Sequence, residues 1–179
     1  VSKENFFSPL SAAINSLKIR ASYGSTGNQE IGEYLSLSTL ESVKYIFGEQ
    51  IVTGFRPSRI ANSFLGWEQT NQFDGGLDLG VLKNKLFLTL DLYQKITSNL
   101  LLDVQIPYTS GHTSSLQNFG SVRNRGIEIG ANTQLGRGAF SWSSNFNIAF
   151  NNNEVTQIGN GASFYTFGNY IVKVGEPLG

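Results

Sequence analysis

Five stretches of this chain alternate between apolar and polar residues over long distances. In one of them Leu86, Leu88 and Leu90 share one phase of the alternation, while Thr89 and Asp91 occupy the other. Successive side chains of a β-strand point to opposite faces of its sheet. The alternation therefore predicts five strands, each with one apolar and one polar face. They lie at about residues 17–25, 67–81, 86–102, 122–135 and 140–151.

The connections between these strands alternate in length. Residues 82–85 and 136–139 form short turns, whereas residues 26–66, 103–120 and 152–179 form long loops. Outer-membrane β-barrels have short periplasmic turns, longer extracellular loops, an apolar side toward lipid and a polar interior. The pattern predicts an all-β fold, in which antiparallel up-and-down strands form a section of a large transmembrane β-barrel with three external loops.

Two of the long loops contain weaker alternation of their own. Residues 34–40 and 45–53 predict a hairpin within the first loop, and residues 163–174 predict the start of a further strand. A soluble carbohydrate-binding β-sandwich is an alternative, because its strands also have one apolar face, although they are usually about five or six residues long. A structural or adhesive outer-membrane protein without transport activity is a second alternative.

The composition narrows the possible functions. Only 15% of the residues are charged, and 13 basic residues balance 13 acidic ones, so there is no basic surface for nucleic acid. The absence of cysteine excludes disulfides and thiolate metal sites. Methionine is absent even at position 1, so we expect a processed product or a piece of a longer protein. No apolar run is long enough for a transmembrane helix.

The titratable residues do not form a catalytic set. Glu68, Asp74 and Asp78 are strung along one strand, so an acid and a base would not converge on one point. His112 is the only histidine, and a metal site needs further ligands that the sequence does not supply. We therefore expect no enzyme activity, no cofactor and no metal site.

Candidate ligand contacts lie in the loops and on the polar strand faces. Loops carry function, and aromatic faces stack on rings, although loop aromatics can equally pack on neighbouring loops or on a partner. Polar wall residues such as Glu128 and Asn132 could contact cargo, or could simply be solvated. The candidates are Tyr45, Phe47, Phe55, Tyr108, Phe164, Tyr165, Asp91 and Tyr93.

Two arginines lie just beyond the apolar part of the fourth strand. Arginine binds phosphate oxygens in a bidentate geometry, so Arg123 and Arg125 could contact lipopolysaccharide phosphates. Solvent-facing positions in a loop are an equally good interpretation.

Seven segments in order resemble the C-terminal barrel of the SusC/RagA family of TonB-dependent outer-membrane transporters. The series covers nearly the whole chain, and its order is more specific than any one segment. The segments are 17–28 (LKIRASYGSTGN), 57–74 (PSRIANSFLGWEQTNQFD), 76–82 (GLDLGVL), 91–102 (DLYQKITSNLLL), 107–111 (PYTSG), 117–130 (QNFGSVRNRGIEIG) and 174–179 (VGEPLG).

The resemblance implies a nutrient importer built on a barrel of roughly 22 strands. It implies import of oligosaccharides or peptides, a SusD-like surface lipoprotein as partner and energy from the TonB complex. The plug domain and the TonB-contacting segment belong to the N-terminal part of such proteins, which this sequence does not contain. Membrane lipid and lipopolysaccharide would surround the barrel wall.

Overall fold

The computed structural model describes residues 14–28, 32, 34–137 and 139–178. The chain is almost entirely β-structure, with two single 3₁₀ turns at Tyr108–Ser110 and Gly159–Gly161. The described residues form the strands β1 (Ile14–Asn28), β2 (Leu40–Phe47), β3 (Gln50–Pro57), β4 (Glu68–Val81), β5 (Leu86–Gln105), β6 (Ser114–Arg137), β7 (Phe140–Ile158), β8 (Phe164–Phe167) and β9 (Tyr170–Lys173).

The five long strands form one antiparallel sheet in the order β1-β4-β5-β6-β7. Apart from the inserted β2–β3 hairpin, neighbours in sequence are neighbours in the sheet, so the predicted up-and-down topology is confirmed. The β2–β3 and β8–β9 pairs are separate two-stranded sheets, and they lie at the end of the large sheet where the long connections are. The short turns lie at the opposite end, although one of them includes residue 138, which is outside the described residues.

The strands are longer than the alternation predicted. Pairing of β5 with β6 continues to Gln105 opposite Ser114, so only residues 106–113 connect them, where 103–120 was expected. Likewise β7 continues to Ile158 rather than ending near residue 151. These extensions are rich in polar residues because they lie beyond the apolar part of the sheet, and backbone pairing continues through them.

The predicted hairpin in the first loop exists, but it is displaced along the chain. It pairs Leu40–Phe47 with Gln50–Pro57 around Gly48 and Glu49, which both have positive φ. Residues 34–37 form a turn instead of a strand. The Arg59 guanidinium donates hydrogen bonds to the carbonyls of Tyr34 and Leu37, both at 2.9 Å, and so satisfies the turn without a strand partner.

The register gathers the apolar residues of all five long strands onto one face of the sheet. One row across the strands is Leu17, Leu79, Leu88, Ala131 and Phe146, and the next is Ile19, Leu77, Leu90, Ile129 and Ile148. A third is Ala21, Gly75, Leu92, Ile127 and Phe150. The opposite face carries Lys18, Asp78, Thr89, Gly130 and Asn147 in one row, and Arg20, Gly76, Asp91, Glu128 and Ala149 in the next.

The apolar face is not covered by other parts of the described chain. Leu92 is 47% exposed and Ile127 43% exposed although both lie on inner strands, where a soluble sheet would bury them. This exposure contradicts the β-sandwich alternative, because a sandwich buries its apolar faces against each other. The described residues contain no helix that is both long and apolar enough to span a membrane.

A small apolar cluster lies at the end of the sheet near the long connections, on its polar side. Val122, Val155 and Ile158 are its buried members, and we call the group the rim cluster. Tyr165 and Val172, which are cross-strand partners in the β8–β9 hairpin, pack against it together with Leu100 and Phe119. The hairpin therefore folds back over the end of the sheet.

A tight turn after β9 returns the chain to β7. The amide of Gly175 donates to the carbonyl of Val155 at 2.8 Å, and the amide of Val155 donates to the carbonyl of Glu176 at 2.9 Å. Gly175 has φ +90°, a conformation that favours glycine. Two residues thus oppose one, as in a β-bulge that begins with glycine. This pairing anchors the β8–β9 hairpin at its C-terminal end.

Candidate functional site on the polar face of the sheet

Charged side chains from three strands meet near the middle of the polar face. Arg20 on β1 binds Asp78 on β4 in a bidentate fashion, with Nε donating to Oδ2 at 3.0 Å and Nη2 to Oδ1 at 2.8 Å. Nη2 also lies 2.8 Å from Oδ1 of Asp91 on β5. One guanidinium therefore links β1, β4 and β5 on the polar face of the sheet.

Gly76 makes this arrangement possible. It occupies the position on β4 between Arg20 and Asp91 in the same row of the sheet. A methyl group on Gly76 would stand 2.5 Å from Oδ1 of Asp91 and 2.7 Å from Cζ of Arg20. Only a residue without a side chain lets the two charged groups meet over the strand that separates them.

Tyr93 lies along the sheet in a similar manner. Its ring crosses Gly126, its direct partner on β6, and its hydroxyl donates a hydrogen bond to Oδ1 of Asn151 on β7 at 3.0 Å. A methyl group on Gly126 would stand 2.6 Å from the Tyr93 ring and 2.9 Å from the carbonyl oxygen of Phe150. Tyr93 is thus held flat by a glycine and an amide on two successive strands.

The side chains around Arg20 and Tyr93 line an open groove of about 540 Å³. Its walls include Asp91, Lys95 and Glu128. A second groove of about 350 Å³ continues along the same face past Thr89 and Asn147. The structure therefore brings Asp91, Tyr93 and Glu128 together, whereas Asn132 lies nearer the short turns. Charges of both signs and amides make this a surface for water and polar solutes.

The acidic residues of β4 are engaged in ordinary polar contacts. Oε1 of Glu68 accepts a hydrogen bond from the amide of Leu101 at 3.0 Å, and Asp74 accepts one from the Gln72 amide group at 2.9 Å. In the described part of the chain no three His, Cys, Asp or Glu side chains are grouped so as to hold a metal ion. His112 is half-buried beside the β5–β6 connection, where its carbonyl accepts a hydrogen bond from the Ser110 hydroxyl.

The loop aromatics fall into two groups. Tyr108, Phe47, Phe55 and Phe164 are largely exposed, and Tyr108 on its 3₁₀ turn reaches 82% exposure. The Tyr45 ring instead lies against Gly54 within the β2–β3 hairpin.

Tyr165 packs edge-on against Phe119, with ring centroids 4.9 Å apart, and its hydroxyl oxygen accepts a hydrogen bond from the amide of Gln105 at 2.9 Å. The structure thus places Tyr165 against the rim cluster. The four largely exposed loop aromatics, in contrast, are accessible to other molecules.

Arg20, Gly76 and Gly126 are parts of the polar face that the sequence did not single out. Arg20 and Asp78 are 58 residues apart, and only the register shows that they meet. The recurrence of glycine on the polar phase of β4 and β6, beside long polar residues on β5, was the one available sign of close approach.

Comparison with known proteins identifies the family. Residues 3–176 match the model of the family described as TonB dependent receptor-like, beta-barrel. The chain is 39% identical over its full length to TonB-dependent receptor P39 of Formosa agariphila, of which it spans 17%. It is 32% identical to TonB-dependent receptor SusC of Bacteroides thetaiotaomicron, with 99% of this chain and 18% of that protein aligned.

Among solved structures, a chain of the RagAB peptide transporter superposes with a TM-score of 0.80 at 31% identity. The superposition covers 92% of this chain and 18% of that one. The chain therefore spans about a sixth to a fifth of the relatives that it matches. On the family match, the sequence identity and the shared strands, the chain belongs to the TonB-dependent receptors of the SusC-like type, a family of transporters rather than enzymes, and corresponds to part of their β-barrel.

Proposed function

We propose that this chain forms part of the barrel wall, the lumen lining and the outer mouth of an outer-membrane nutrient importer. The importer takes up oligosaccharides or peptides and draws its energy from the TonB complex through parts of the protein outside this sequence. Peptide cargo is supported by the similarity to the RagAB peptide transporter. The same relatives support a SusD-like surface lipoprotein as the partner at the outer mouth.

One observation carries the proposal: the two faces of the sheet suit two different solvents. Three rows composed mainly of leucine, isoleucine and phenylalanine cover one face, none of them buried, and the other face presents ion pairs and amides. Hydrocarbon on one side and water on the other satisfies both faces, and closure of the barrel satisfies the backbone. In water alone the apolar face would be an aggregation surface.

We assign the candidate ligand residues two roles. Tyr108, Phe47, Phe55 and Phe164 are exposed at the outer mouth and contact cargo or the lipoprotein directly. The remaining four shape the path, because Tyr45 and Tyr165 brace hairpins while Asp91 and Tyr93 line the lumen wall. Exposed aromatic rings stack on sugars and on peptide side chains alike, which fits either cargo.

Cysteine labelling tests the orientation of the wall. This chain contains no cysteine, and any cysteine elsewhere in the full-length protein is first replaced by serine, so that Asn147→Cys and Ile148→Cys place one thiol on each face of β7 at neighbouring positions. In the full-length protein in outer membranes, a water-soluble maleimide should label Cys at position 147, while Cys at 148 reacts only with a lipid-soluble maleimide. Equal labelling of both positions by the water-soluble reagent would disprove the proposal.

Cargo is tested in cells that express the full-length protein. Uptake of defined oligosaccharides and of defined peptides is compared between the wild type and a strain that lacks the gene. The expected result is gene-dependent uptake of one of these two classes. Gene-independent uptake of every compound in both classes would contradict nutrient import by this protein.

A further inference from the structure

The apolar face of the sheet ends abruptly on its three C-terminal long strands. Leu92 on β5, Ile127 on β6 and Phe150 on β7 form the last row of that face that is apolar on all three strands, and Ile96 follows farther along β5. Two residues farther along each strand stand Gln94, Arg125 and Asn152, which the register places side by side in one row. Neighbouring strands are about 4.8 Å apart, so these three polar side chains form a continuous row across the strands, next to the apolar row.

Arg125 stands on the apolar side of the sheet, one row beyond the apolar residues. It is exposed, and within the described residues its guanidinium makes no ion pair and no hydrogen bond. Its position is inside β6, paired on both sides by Gln94 and Asn152, so it does not belong to a mobile loop. A fixed, unpartnered arginine at the edge of an apolar surface can bind an anion without first breaking another contact.

The next row outward is already neutralised. Nη2 of Arg123 lies 2.6 Å from Oε2 of Glu154, and both side chains are partly buried. Nε of Arg123 is buried and makes no hydrogen bond, but its pair with Glu154 cancels its charge locally. The row of Gln94, Arg125 and Asn152 therefore has one free positive charge, on Arg125. The side-chain amides of Gln94 and Asn152 flank it as neutral hydrogen-bond donors.

A groove of about 440 Å³ joins these polar residues to the apolar ones. Leu92, Ile127 and Phe150 form its apolar part, while Gln94, Arg125 and Asn152 line its other end. The lining of the groove thus changes from apolar to polar along the direction of the strands. It matches a molecule that has an anionic headgroup next to an acyl chain, rather than a free polar solute.

From this geometry we infer that the groove binds a phosphorylated glycolipid of the outer leaflet, with its phosphate on Arg125 and its acyl chain on Leu92, Ile127 and Phe150. Arginine binds phosphate oxygens in a bidentate geometry, and its charge complements the headgroup. The long connections mark this end of the sheet as extracellular. The groove therefore faces the outer leaflet, which is the leaflet that carries phosphorylated glycolipid. The inference rests on the proposed membrane orientation but not on cargo transport.

Native mass spectrometry on the full-length protein in detergent tests the inference. The probes are lipid A with both phosphates and the same lipid A after enzymatic dephosphorylation. Arg125→Gln should weaken binding of the phosphorylated form about ten-fold or more, since hydrogen bonds to charged groups are the stronger ones. Arg125→Lys should fall between wild type and Arg125→Gln, because it keeps the charge but loses the bidentate geometry.

Lys95→Gln is the matched control. Lys95 is the neighbour of Gln94 on β5, and its side chain lies on the opposite face, so its removal should leave lipid A binding unchanged. Retention of the folded, heat-modifiable band on electrophoresis shows that each variant folds. If Arg125→Gln and Lys95→Gln bind phosphorylated lipid A equally well, the inference is wrong.

Two further results separate the inference from its alternatives. Millimolar inorganic phosphate should not displace phosphorylated lipid A; displacement would mean a simple anion site and would overturn the glycolipid assignment. Equal binding of the dephosphorylated lipid would overturn the role of the phosphate. If Ile148→Cys is labelled only from lipid while Arg125→Gln keeps wild-type binding, the lipid site fails and the membrane orientation stands.

Discussion

Arg20 on β1 contacts Asp91 on β5 two strands away, because Gly76 on the intervening strand has no side chain. Together with the bidentate pair to Asp78, this contact ties three strands on a face that water reaches. Ion pairs exposed to solvent contribute little to stability individually. The arrangement is therefore better understood as fixing the position of charge on the wall than as holding the wall together.

Substitution of Gly76 should separate these two roles. In Gly76→Ala the new methyl group collides with the Asp91 carboxylate and with the Arg20 guanidinium, so that the two groups must move apart. Because only the flexible ends of two side chains must move, we expect a small change in the melting temperature of the folded barrel. A loss of stability as large as that of Gly126→Ala would show that the Arg20–Asp91 contact is structural.

Substitution of Gly126 should be more damaging. A methyl group there meets the Tyr93 ring and also the backbone carbonyl of Phe150, which cannot rotate away. Overpacking of this kind costs about 1–3 kcal/mol. The measurement is thermal loss of the heat-modifiable band, with Gly136→Ala as control, because the nearest atom to a methyl group at Gly136 is 3.8 Å away. Equal effects of the two substitutions would contradict the close approach.

The β8–β9 hairpin should depend on the rim cluster for its position. Val155→Ala removes two buried methyl groups from the surface on which Tyr165 and Val172 rest, at a cost of about 1–2 kcal/mol. We expect faster hydrogen exchange in residues 164–173 and little change in β4 and β5. Val174→Ala is the control, because Val174 is 42% exposed. Uniform acceleration over all strands would argue against a local role.

Cargo uptake should respond to Tyr108. An exposed aromatic ring that stacks on cargo contributes about 0.5–1.5 kcal/mol, so Tyr108→Ala should weaken uptake roughly two- to ten-fold at limiting concentration. Phe146→Ala removes an exposed ring from the apolar face instead and should leave uptake unchanged. Uptake that is insensitive to Tyr108, Phe47, Phe55 and Phe164 in turn would remove the loop aromatics from the cargo path.

The segment expressed alone should not behave as a soluble domain. Only Val104, Val122, Val155 and Ile158 are buried hydrophobic residues in the described chain, while the apolar face and the sheet edges remain open. Exposed edges and apolar faces drive association. We expect aggregation or dependence on detergent, measured by light scattering. A monodisperse monomer in plain buffer would contradict the membrane assignment.

The strands and their two faces could be predicted because a period of two is a local property. Leu88, Leu90 and Leu92 identify an apolar face whatever lies beside them. The extension of β6 could not be predicted in this way, because Ser114, Ser115 and Asn118 are polar on both phases and are held in the strand by pairing with β5.

The contents of the candidate site depended on register, which the sequence does not specify. Asp91 and Tyr93 were correctly placed on the polar phase, yet their partners Arg20 and Asn151 come from strands 71 and 58 residues away. The different environments of Tyr165 and Tyr108 could not be predicted either, since both are tyrosines in predicted loops. Only the folding of the hairpin onto the rim cluster distinguishes a bracing ring from a free one.

The flat setting of Tyr93 over Gly126 has a consequence for the size of what passes by. A ring that stood upright from the wall would take several ångströms from the bore at that height, whereas a ring laid on the strands takes only its own thickness. In the importer that we propose, the paired glycines and long side chains of β4, β5 and β6 would leave this stretch of the lumen wall smooth and wide enough for bulky solutes.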